Sequence, residues 1–537
     1  MGVCQMNSTD FTWVIPNTRW FGKRYWNHIP YVEGILTAVL RRENISVSVI
    51  DANGSDLSQE ELTSQLSDLG PNIVGVSCMS VEYRKSAHAC FEITKNISNQ
   101  IETVFGGVYP SLSPAAAFAN EDIDFLVIGE GEERLPNLIR AIKAGGGFHK
   151  IDGLMYRKNG GVINNPQAGV GVVDLDAIPY PDYSDYDMKL LMNWGAKYTQ
   201  NFQFKQFPVG MTMTSRGCPY RCTYCAAGKD LNPINDRNNV RGRSPENVLG
   251  EIDYLREQYG IRELIMVDDS LLLPSERAIG FMKGMAERRE NGSDLVWKSN
   301  NLDIRHFNEE ILDWMKASGC YQLTFSLESG SQNTLKRMKR GYSIKKGVKM
   351  MEAMRKKGFD EICSNFIVGF PGDTWDDIRE TFNFADQLRN DGLLDYCLFS
   401  IATPLPGTEL ADTAMEGGFL PADFDPTQFY GYGKGLITTE HFTPNELQTL
   451  RSYEWDRINF KNEPDKIKTS RMLGITLEEL ETWRKETRRQ TGVEVATVDT
   501  ADSKKEPAQN LVGVSTAETT SDKLVSDSRG KDFSGGW

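Results

Sequence analysis

Three cysteines lie close together near the middle of the chain. Cys218, Cys222 and Cys225 form a C-x-x-x-C-x-x-C array directly after the apolar, strand-like run 207–214. Three thiolates at this spacing can converge on one iron–sulfur cluster. No fourth cysteine lies nearby, so a [4Fe–4S] cluster held here would keep one iron open to another ligand. Four-cysteine ligation is usual for electron transfer, and an open iron therefore indicates chemistry at the cluster.

Two other interpretations of the array remain open. Zinc sites usually pair C-x2-C with a second Cys or His pair, and clustered cysteines can also be small buried hydrophobes. The chain has only five His, and none follows the array at a suitable spacing. The residues therefore favour a cluster over zinc, and zinc over packing alone.

Composition limits the class of protein. A chain of 537 residues is too long for one compact core, and we expect two or three domains. The net charge of -14 argues against a general nucleic-acid binder. No apolar run approaches a membrane span, no secretory signal is apparent, and the scattered remaining cysteines suit a reducing compartment. We expect a cytoplasmic protein without a membrane span or a nucleic-acid partner.

Residues 1–150 alternate strand-like runs with helical patterns, which predicts a doubly wound, Rossmann-like parallel sheet. Ligands of such sheets bind beyond the carboxyl ends of the strands. Three loops there stand out, at Ser77–Ser80, Gly106–Pro110 and Gly129–Glu133. From the residues alone, tight turns explain these loops about as well as cofactor binding does.

Residues 207–410 repeat a strand–helix unit six times, which predicts a partial (β/α)6 barrel of the TIM type. Chemistry on parallel barrels takes place at the carboxyl ends of the strands. Asp268, Asp269 and Ser270 end the second strand, and Glu328 ends the fourth. The aspartates are also suited to capping the next helix, whereas a carboxylate in a barrel mouth is costly unless it is paired.

The remaining chain divides by composition. Residues 151–206 form a connector with a small hairpin around 158–161, and residues 411–490 are rich in helical patterns. In residues 491–537 aromatics almost vanish while Ser, Thr, Ala, Asp and Lys dominate, so we expect a disordered tail.

The cysteine array, with Tyr224 directly before its last member, resembles the signature of the radical S-adenosylmethionine (SAM) superfamily. The resemblance covers about residues 207–410. It implies that Cys218, Cys222 and Cys225 hold a [4Fe–4S] cluster and that SAM binds the open iron. By position it also implies these SAM-binding residues: Tyr224, Asp268, Asp269, Ser270, Glu328, Val368 and Gly369.

The N-terminal loops together resemble the cobalamin-binding domain that precedes many radical SAM domains. The resemblance implies these cobalamin contacts: Ser77, Gly106, Gly107, Tyr109, Pro110, Gly129, Glu130 and Gly131. The Asp-x-His-x-x-Gly motif that supplies an axial histidine is missing, and the corresponding region reads Trp-Asn-His-Ile-Pro at 26–30. We therefore expect base-off cobalamin without a histidine ligand, with His28 in a loop and His88 in packing.

The combined resemblance implies a cobalamin-dependent radical SAM methyltransferase. Such an enzyme generates a 5′-deoxyadenosyl radical and uses methylcobalamin to methylate an unactivated carbon or phosphorus centre of a small molecule, as in natural-product and antibiotic biosynthesis. An external donor of the flavodoxin or ferredoxin type supplies the electron. The nearest alternative is a cyclase or ring-rearranging enzyme like the anaerobic tetrapyrrole cyclases. A tRNA methylthiotransferase would need a second three-cysteine set, and a non-catalytic cofactor sensor suits the intact SAM positions poorly.

Overall fold

The computed structural model describes residues 9–21, 29–167, 171–192, 203–227, 240–425 and 433–489. These residues form two α/β sheets followed by a group of C-terminal helices. In these ranges no helix has both the length and the apolar character that crossing a bilayer requires. His28, which we expect in a loop, and the expected disordered tail at 491–537 lie outside the described residues.

The N-terminal sheet has seven strands, namely β1 (Phe11–Ile15), β2 (Val47–Asp51), β3 (Ile73–Ser77), β4 (Glu102–Gly106), β5 (Phe125–Val127), β6 (Leu154–Lys158) and β7 (Gly161–Asn164). Their order is β2-β1-β3-β4-β5-β6-β7, and the first five are parallel. The strand order reverses between β1 and β3, and doubly wound sheets bind ligands at such a switch point. The predicted doubly wound sheet is confirmed.

Helices cover both faces of this sheet. They are α1 (Tyr31–Arg42), α2 (Gln59–Leu69), α3 (Arg84–Ile97), α4 (Val108–Leu112), α5 (Pro114–Ala117) and α6 (Arg134–Lys143). Helix α2 begins with a capping box, in which Ser58 and Glu61 each bond the other's backbone N–H. Leu62 and Phe91 are buried in one layer of the core, and Leu40 and Leu138 in the other.

The hairpin of β6 and β7 extends this sheet. Strand β6 pairs antiparallel with β5, and β7 pairs antiparallel with β6. Asn159 and Gly160 form the turn, with φ of 53° and 75°. Positive φ at both central residues is what a type I′ turn requires. The sequence predicts the hairpin correctly but not its attachment to the N-terminal sheet.

The second sheet contains six parallel strands, namely β8 (Val209–Thr212), β11 (Glu263–Met266), β12 (Val296–Leu302), β13 (Cys320–Glu328), β14 (Glu361–Val368) and β15 (Tyr396–Ile401). A separate antiparallel ribbon consists of β9 (Ser215–Arg216) and β10 (Arg241–Gly242). The six strands follow one another in chain order across the sheet. This arrangement confirms the predicted partial barrel and brings the carboxyl ends of all six strands to one mouth.

The helices that follow the barrel strands bury its outer face. They are α7 (Pro245–Tyr259), α8 (Ser275–Glu290), α9 (Glu309–Ala317), α10 (Gln332–Arg337), α11 (Ile344–Lys356), α12 (Trp375–Asn390) and α13 (Glu409–Glu416). Trp297, Phe325 and Phe366 are fully buried in the core between these helices and the strands. The short helix α10 has no counterpart among the helices that the sequence predicts.

The C-terminal helices cover the open edge of the barrel. They are α14 (Pro444–Asn459), α15 (Glu463–Leu473) and α16 (Leu477–Arg489). Asn459 accepts a hydrogen bond from Cys397 N at 2.8 Å and donates one to Cys397 O at 2.9 Å, as a neighbouring strand would. Arg451 donates to Phe399 O at 2.7 Å. These side chains occupy backbone groups of β15 that would otherwise form an unpaired sheet edge.

A buried polar cluster joins the two α/β units. Arg243 donates to Glu251 at 2.5 Å, and Thr212 donates to the other carboxylate oxygen at 2.7 Å. The hydroxyl of Tyr31, in α1 of the N-terminal unit, lies 3.5 Å from both Arg243 Nη1 and Glu251 Oε2. Burial raises the pKa of Glu251, while Arg243 opposes this rise. The charge of Glu251 in this interface therefore depends on Arg243.

Replacing Arg243 with Met should destabilise the protein by about 3 kcal/mol, because it leaves a carboxylate buried without its cation. Thermal unfolding of the wild type and the variant measures the change. The double variant Arg243→Met/Glu251→Met, which removes both charges, should recover most of the loss. Equal stability of the wild type and the single variant would contradict the proposed role of this pair.

Candidate functional site

The cysteine loop follows β8 and begins with a buried anchor. Asp268, at the end of β11, accepts hydrogen bonds from Thr214 N at 3.0 Å, Thr214 Oγ1 at 2.7 Å and Ser215 Oγ at 2.6 Å. Both its carboxylate oxygens face the backbone of the loop. The sequence predicts a SAM contact for Asp268, and in the structure its side chain holds the loop that carries the cysteines.

The three cysteines share one loop at the barrel mouth. All three are free thiols; Cys222 is buried, and Cys218 and Cys225 are partly exposed. Burial raises the pKa of Cys225 to about 12, and the neighbouring Cys222 adds to the rise. A nearby positive charge is needed to hold such thiols as thiolates, and bound iron supplies one.

Hydrogen-bond donors approach two of the sulfurs. Ser270 hydrogen-bonds Cys218, and Arg340 Nη1 lies 3.8 Å from Cys222 Sγ. In the described ranges, no three His, Cys, Asp or Glu side chains are grouped closely enough for one metal ion. A loop with three thiols and donors to sulfur fits a larger cluster, in which each thiolate binds a different iron.

Tyr224 and Glu328 meet beside the cysteines. The Tyr224 hydroxyl donates to Glu328 Oε1 at 2.6 Å. Burial raises the pKa of Glu328, while the charge of Arg340 and the hydrogen bond from Tyr224 lower it. Glu328 has a φ of 67°, which is uncommon for a residue with a side chain. Such strain persists where the surroundings impose it, and it is concentrated at functional sites.

The other predicted SAM residues occupy neighbouring strand ends. Asp269 is exposed to solvent in the mouth and accepts a hydrogen bond from Gly217 N. Although the residue is exposed, the surrounding protein partly desolvates its carboxyl group. This desolvation, together with the charge of Asp268, raises the pKa of Asp269 to about 6. Val368 is buried at the end of β14, and Gly369 follows it with a φ of 87°. A Cβ on Gly369 would lie 2.5 Å from Leu447 in α14, so the close approach of α14 requires glycine here.

Asp303, directly after β12, pairs with two arginines near the cysteine loop. Asp303 accepts from Arg340 at 2.9 Å and from Arg305 Nε at 2.9 Å. Although burial raises it, hydrogen bonds from Arg305 and the charge of Arg340 lower the pKa of Asp303 to about 2. The Arg305 guanidinium lies 3.3 Å from the centre of the Tyr220 ring. Arg340 has no distinctive local pattern, so reasoning from the sequence missed it.

The predicted cobalamin residues lie at the carboxyl ends of β3, β4 and β5. Ser77 ends β3 and hydrogen-bonds the buried Glu33 of α1. Gly106 faces open space, with nothing within 4 Å of a built Cβ. Gly107 has a φ of 104°, and a Cβ there would lie 2.6 Å from Cys78 O. Only glycine therefore allows the two loops to approach so closely.

Tyr109 and Pro110 are buried in α4, and Tyr109 also forms part of the wall of the opening toward the barrel. Tyr109 is 2% exposed, and its backbone N donates to Cys78 O at 3.0 Å. Its ring lies 6.5 Å from that of His88, whose Nδ1 is 2.8 Å from Asn120 Nδ2. The structure thus confirms the packing role that the sequence predicts for His88.

The Gly129–Glu133 loop contacts the cysteine-bearing unit. Gly129 has a φ of 82°, and its N–H bonds Ser111 Oγ at 2.9 Å. Glu130 accepts from Arg241 at 2.5 Å and lies 3.4 Å from Arg216. Although burial raises it, these arginines lower the pKa of Glu130. The carboxylate of Glu130, a residue for which the sequence predicts a cobalamin contact, is therefore engaged in the domain interface. Leu36 packs near the neighbouring glycine, Gly131.

One cavity of about 270 Å³ lies between the two units. Met79 and Val108 line it from the N-terminal loops, and Ala226, Leu405 and Pro406 line it from the barrel mouth. Ala226 directly follows Cys225. Met79 is 49% exposed and Val108 is 40% exposed, so both side chains present apolar surface at this opening. The opening therefore presents an apolar surface, contributed by both units, to a bound group.

Two family models match the chain in these regions. The B12 binding domain matches residues 32–139, and the Radical SAM superfamily matches residues 212–385. An uncharacterized methyltransferase of Pyrococcus horikoshii is 30% identical over 421 residues, which cover 77% of this chain and 84% of that protein. Cytidylyl-2-hydroxyethylphosphonate methyltransferase of Streptomyces wedmorensis is 23% identical over 452 residues, with 75% and 81% covered.

The fold also matches a solved structure of the radical SAM methyltransferase TsrM from Kitasatospora setae with cobalamin and a [4Fe–4S] cluster bound. The TM-score is 0.67 at 19% identity, and the match covers 90% of this chain and 99% of that one. With both family models and the relative from Pyrococcus, the chain belongs to the B12-binding-domain-containing radical SAM enzymes, in the methyltransferase branch.

The histidine in α3 should make stability depend on pH. Burial, with a smaller effect of Arg84, lowers the pKa of His88 to about 4. Its unfolded pKa is about 6.5, so the unfolded chain binds the extra proton between these values and stability falls as pH decreases from 6.5 to 4. Between pH 7 and pH 5 the loss should be about 2 kcal/mol.

The variant His88→Gln should lose this part of the pH dependence while retaining a polar partner for Asn120. Thermal unfolding of both proteins across pH 5–7 measures the difference. Parallel stability curves for the wild type and the variant would show that His88 does not titrate in this way.

Proposed function

We propose that this chain is a cobalamin-dependent radical SAM methyltransferase that methylates an unactivated carbon or phosphorus centre of a small-molecule substrate. The observation that carries the proposal is the shared cavity. Its walls come from Ala226, next to Cys225, and from Met79 and Val108 on the loops that resemble cobalamin-binding loops. A group bound on the N-terminal loops and one bound on the cysteine loop would therefore open into the same space.

We assign the cluster to Cys218, Cys222 and Cys225. Ser270 and Arg340 orient two of the sulfurs by hydrogen bonding. For SAM, we assign Asp269 to the amino group, since its carboxylate is exposed in the mouth while that of Asp268 is occupied.

Tyr224, Glu328, Val368 and Gly369 are assigned to the rest of SAM. The hydrogen bond between Tyr224 and Glu328 holds both side chains beside the cysteines. Phe370 lies against the Tyr224 ring, with centroids 5.8 Å apart, and limits its movement. These contacts preorganise the pocket before the cofactor enters.

We assign cobalamin to the loops at Ser77, Gly106, Gly107 and Gly129, in the base-off form. His88 is not suited to bind cobalt, because its ring is held between Asn120 and Tyr109. The apolar side chains of Met79 and Val108 would cover a face of the bound group.

When bound, the cluster and SAM supply one-electron cleavage to a 5′-deoxyadenosyl radical, and methylcobalamin supplies the methyl group. The chain's own contribution is to orient these groups and to exclude water. Leu405 and Pro406 cover the cavity from the barrel side, and Tyr83 and Leu112 cover it from the N-terminal side. An enclosed apolar site protects a reactive radical from quenching. The volume of the cavity, about 270 Å³, also favours a small molecule over a folded macromolecule.

Replacing Cys222 with Ala should abolish cluster assembly, because two remaining thiolates cannot hold the group. Anaerobic reconstitution followed by iron analysis should give about four irons per wild-type chain and close to none in the variant. Cys320→Ala, at a buried position outside the array, is the control and should retain the iron. Full iron content in the Cys222 variant would disprove the assignment.

Methyl-labelled SAM tests the reaction. With a reductant, cobalamin and candidate acceptors, beginning with cytidylyl-2-hydroxyethylphosphonate, label should enter the acceptor while deoxyadenosine forms. Mass spectrometry of the products measures both. Deoxyadenosine with an unlabelled but altered product would support a cyclase or rearrangement instead. Absence of SAM cleavage in the fully loaded protein would contradict the radical SAM activity.

A further inference from the structure

A strongly basic segment lies beside the cysteine loop. Residues 329–351 contain no acidic residue and seven basic ones, namely Lys336, Arg337, Lys339, Arg340, Lys345, Lys346 and Lys349. The whole chain, by contrast, has a net charge of -14. A local concentration of one sign of charge in a protein of the opposite sign creates a surface potential that can steer a complementary partner.

Most of these charges point to solvent. Lys336, Lys339, Lys345, Lys346 and Lys349 are all exposed. Lys339 pairs with Glu409, and the other four form no ion pair with any residue that the structure describes. The two arginines turn inward instead, Arg337 to Asp373 and Arg340 to Asp303. The exposed lysines, which we call the lysine surface, are therefore available to a partner.

The inner side of the same segment contacts the cysteine loop. Thr223 N donates to Met338 O at 3.1 Å, and the buried Arg340 reaches Cys222 Sγ at 3.8 Å. Helix α11, which carries Lys345, Lys346 and Lys349, packs against the turn Ile304–His306. His306 Nε2 lies 2.6 Å from the hydroxyl of Tyr220 in the cysteine loop. The lysine surface thus connects to the cysteine loop through Met338 and Arg340, and from α11 through the turn Ile304–His306 and Tyr220.

We propose that the lysine surface docks an acidic, one-electron carrier protein that contains a reduced flavin or iron–sulfur group. The inference rests on the proposed function, because a radical SAM cluster must be reduced from outside. In the docked complex one electron leaves the carrier's group, which is oxidised by one electron. Cys218, Cys222 and Cys225 would hold the cluster that takes up this electron and is thereby reduced by one electron. No bond forms or breaks in this transfer.

Charge and composition favour a protein carrier over nucleic acid. Tyr342 is the only aromatic residue of the segment, and its hydroxyl donates inward to Leu327 O at 2.7 Å. The lysine surface therefore lacks the exposed rings on which unpaired bases stack. Complementary charge also suits a transient carrier, because electrostatic attraction speeds association without requiring a large apolar interface.

The test uses the full-length, reconstituted protein and a bacterial flavodoxin as the probe. The variant Lys345→Glu/Lys346→Glu/Lys349→Glu reverses three charges of the lysine surface without changing a residue assigned to the cofactors. Lys150→Glu/Lys158→Glu/Lys485→Glu makes the same change in charge at exposed lysines elsewhere and is the matched control. Iron content shows that each variant retains its cluster.

Two measurements separate docking from catalysis. Calorimetry with oxidised flavodoxin should show binding about tenfold weaker for the lysine-surface variant than for the control. SAM cleavage driven by reduced flavodoxin should fall by a similar factor, while cleavage driven by dithionite should stay within about twofold of the wild-type rate. High salt should remove the difference in binding, because it screens the exposed charges.

Other results would overturn the inference. Equal flavodoxin affinity in the two variants would show that the carrier docks elsewhere. Tight binding of single-stranded RNA that only the lysine-surface variant loses, with unchanged flavodoxin binding, would assign the surface to nucleic acid. Absence of dithionite-driven SAM cleavage in the wild type would contradict the proposed function, while the calorimetry would still decide whether the surface docks the carrier.

Discussion

The hydrogen bonds that Asp268 accepts from Thr214 and Ser215 fix the start of the cysteine loop to the barrel. They tie the residues that precede the cysteine loop to the end of β11, the next strand of the barrel. Arg277 Nη1 donates to Thr214 Oγ1 at 2.7 Å and supports the same corner. A loop of three thiols that must meet one group needs a rigid start, because a small displacement there would move all three sulfurs. The Asp268 anchor supplies that rigidity from an adjacent strand.

Charge balance around the loop follows from this geometry. Three thiols, Asp269 and Glu328 bring many acidic groups to one mouth, and Arg340 is the buried cation among them. Its two nitrogens reach Cys222, Asp303 and Ser326 O, so its position is fixed by partners on three segments. Buried charges are tolerated when they are paired in this way. The same arginine belongs to the basic segment whose outer lysines remain in solvent.

The N-terminal unit is held over the barrel by interactions of two kinds. Glu130 and Glu132 pair with Arg216 and Arg241 on the ribbon that flanks the cysteine loop. Farther from the mouth, Tyr31 contributes to the buried cluster around Glu251. Because Arg216 stands two residues before Cys218, the contact that positions the N-terminal loops is also a contact to the cysteine loop. Docking of the two domains and formation of the site are therefore coupled.

The sequence by itself determined the cysteine array, the two α/β units and most element boundaries to within a few residues, because hydrophobic periodicity and local spacing encode these features. It also placed Tyr224 and Glu328 at loop and strand ends in the same mouth. The tertiary structure decided which polar side chains are already hydrogen-bonded within the protein and which remain available to a ligand. Asp268 and Glu130 are adjacent in sequence to predicted cofactor positions, yet the partners of their carboxylates lie 42 or more residues away along the chain. The sequence also did not predict the role of Arg340 or the attachment of the hairpin to the N-terminal sheet. Long-range hydrogen bonds and strand pairing leave no periodic pattern in a sequence.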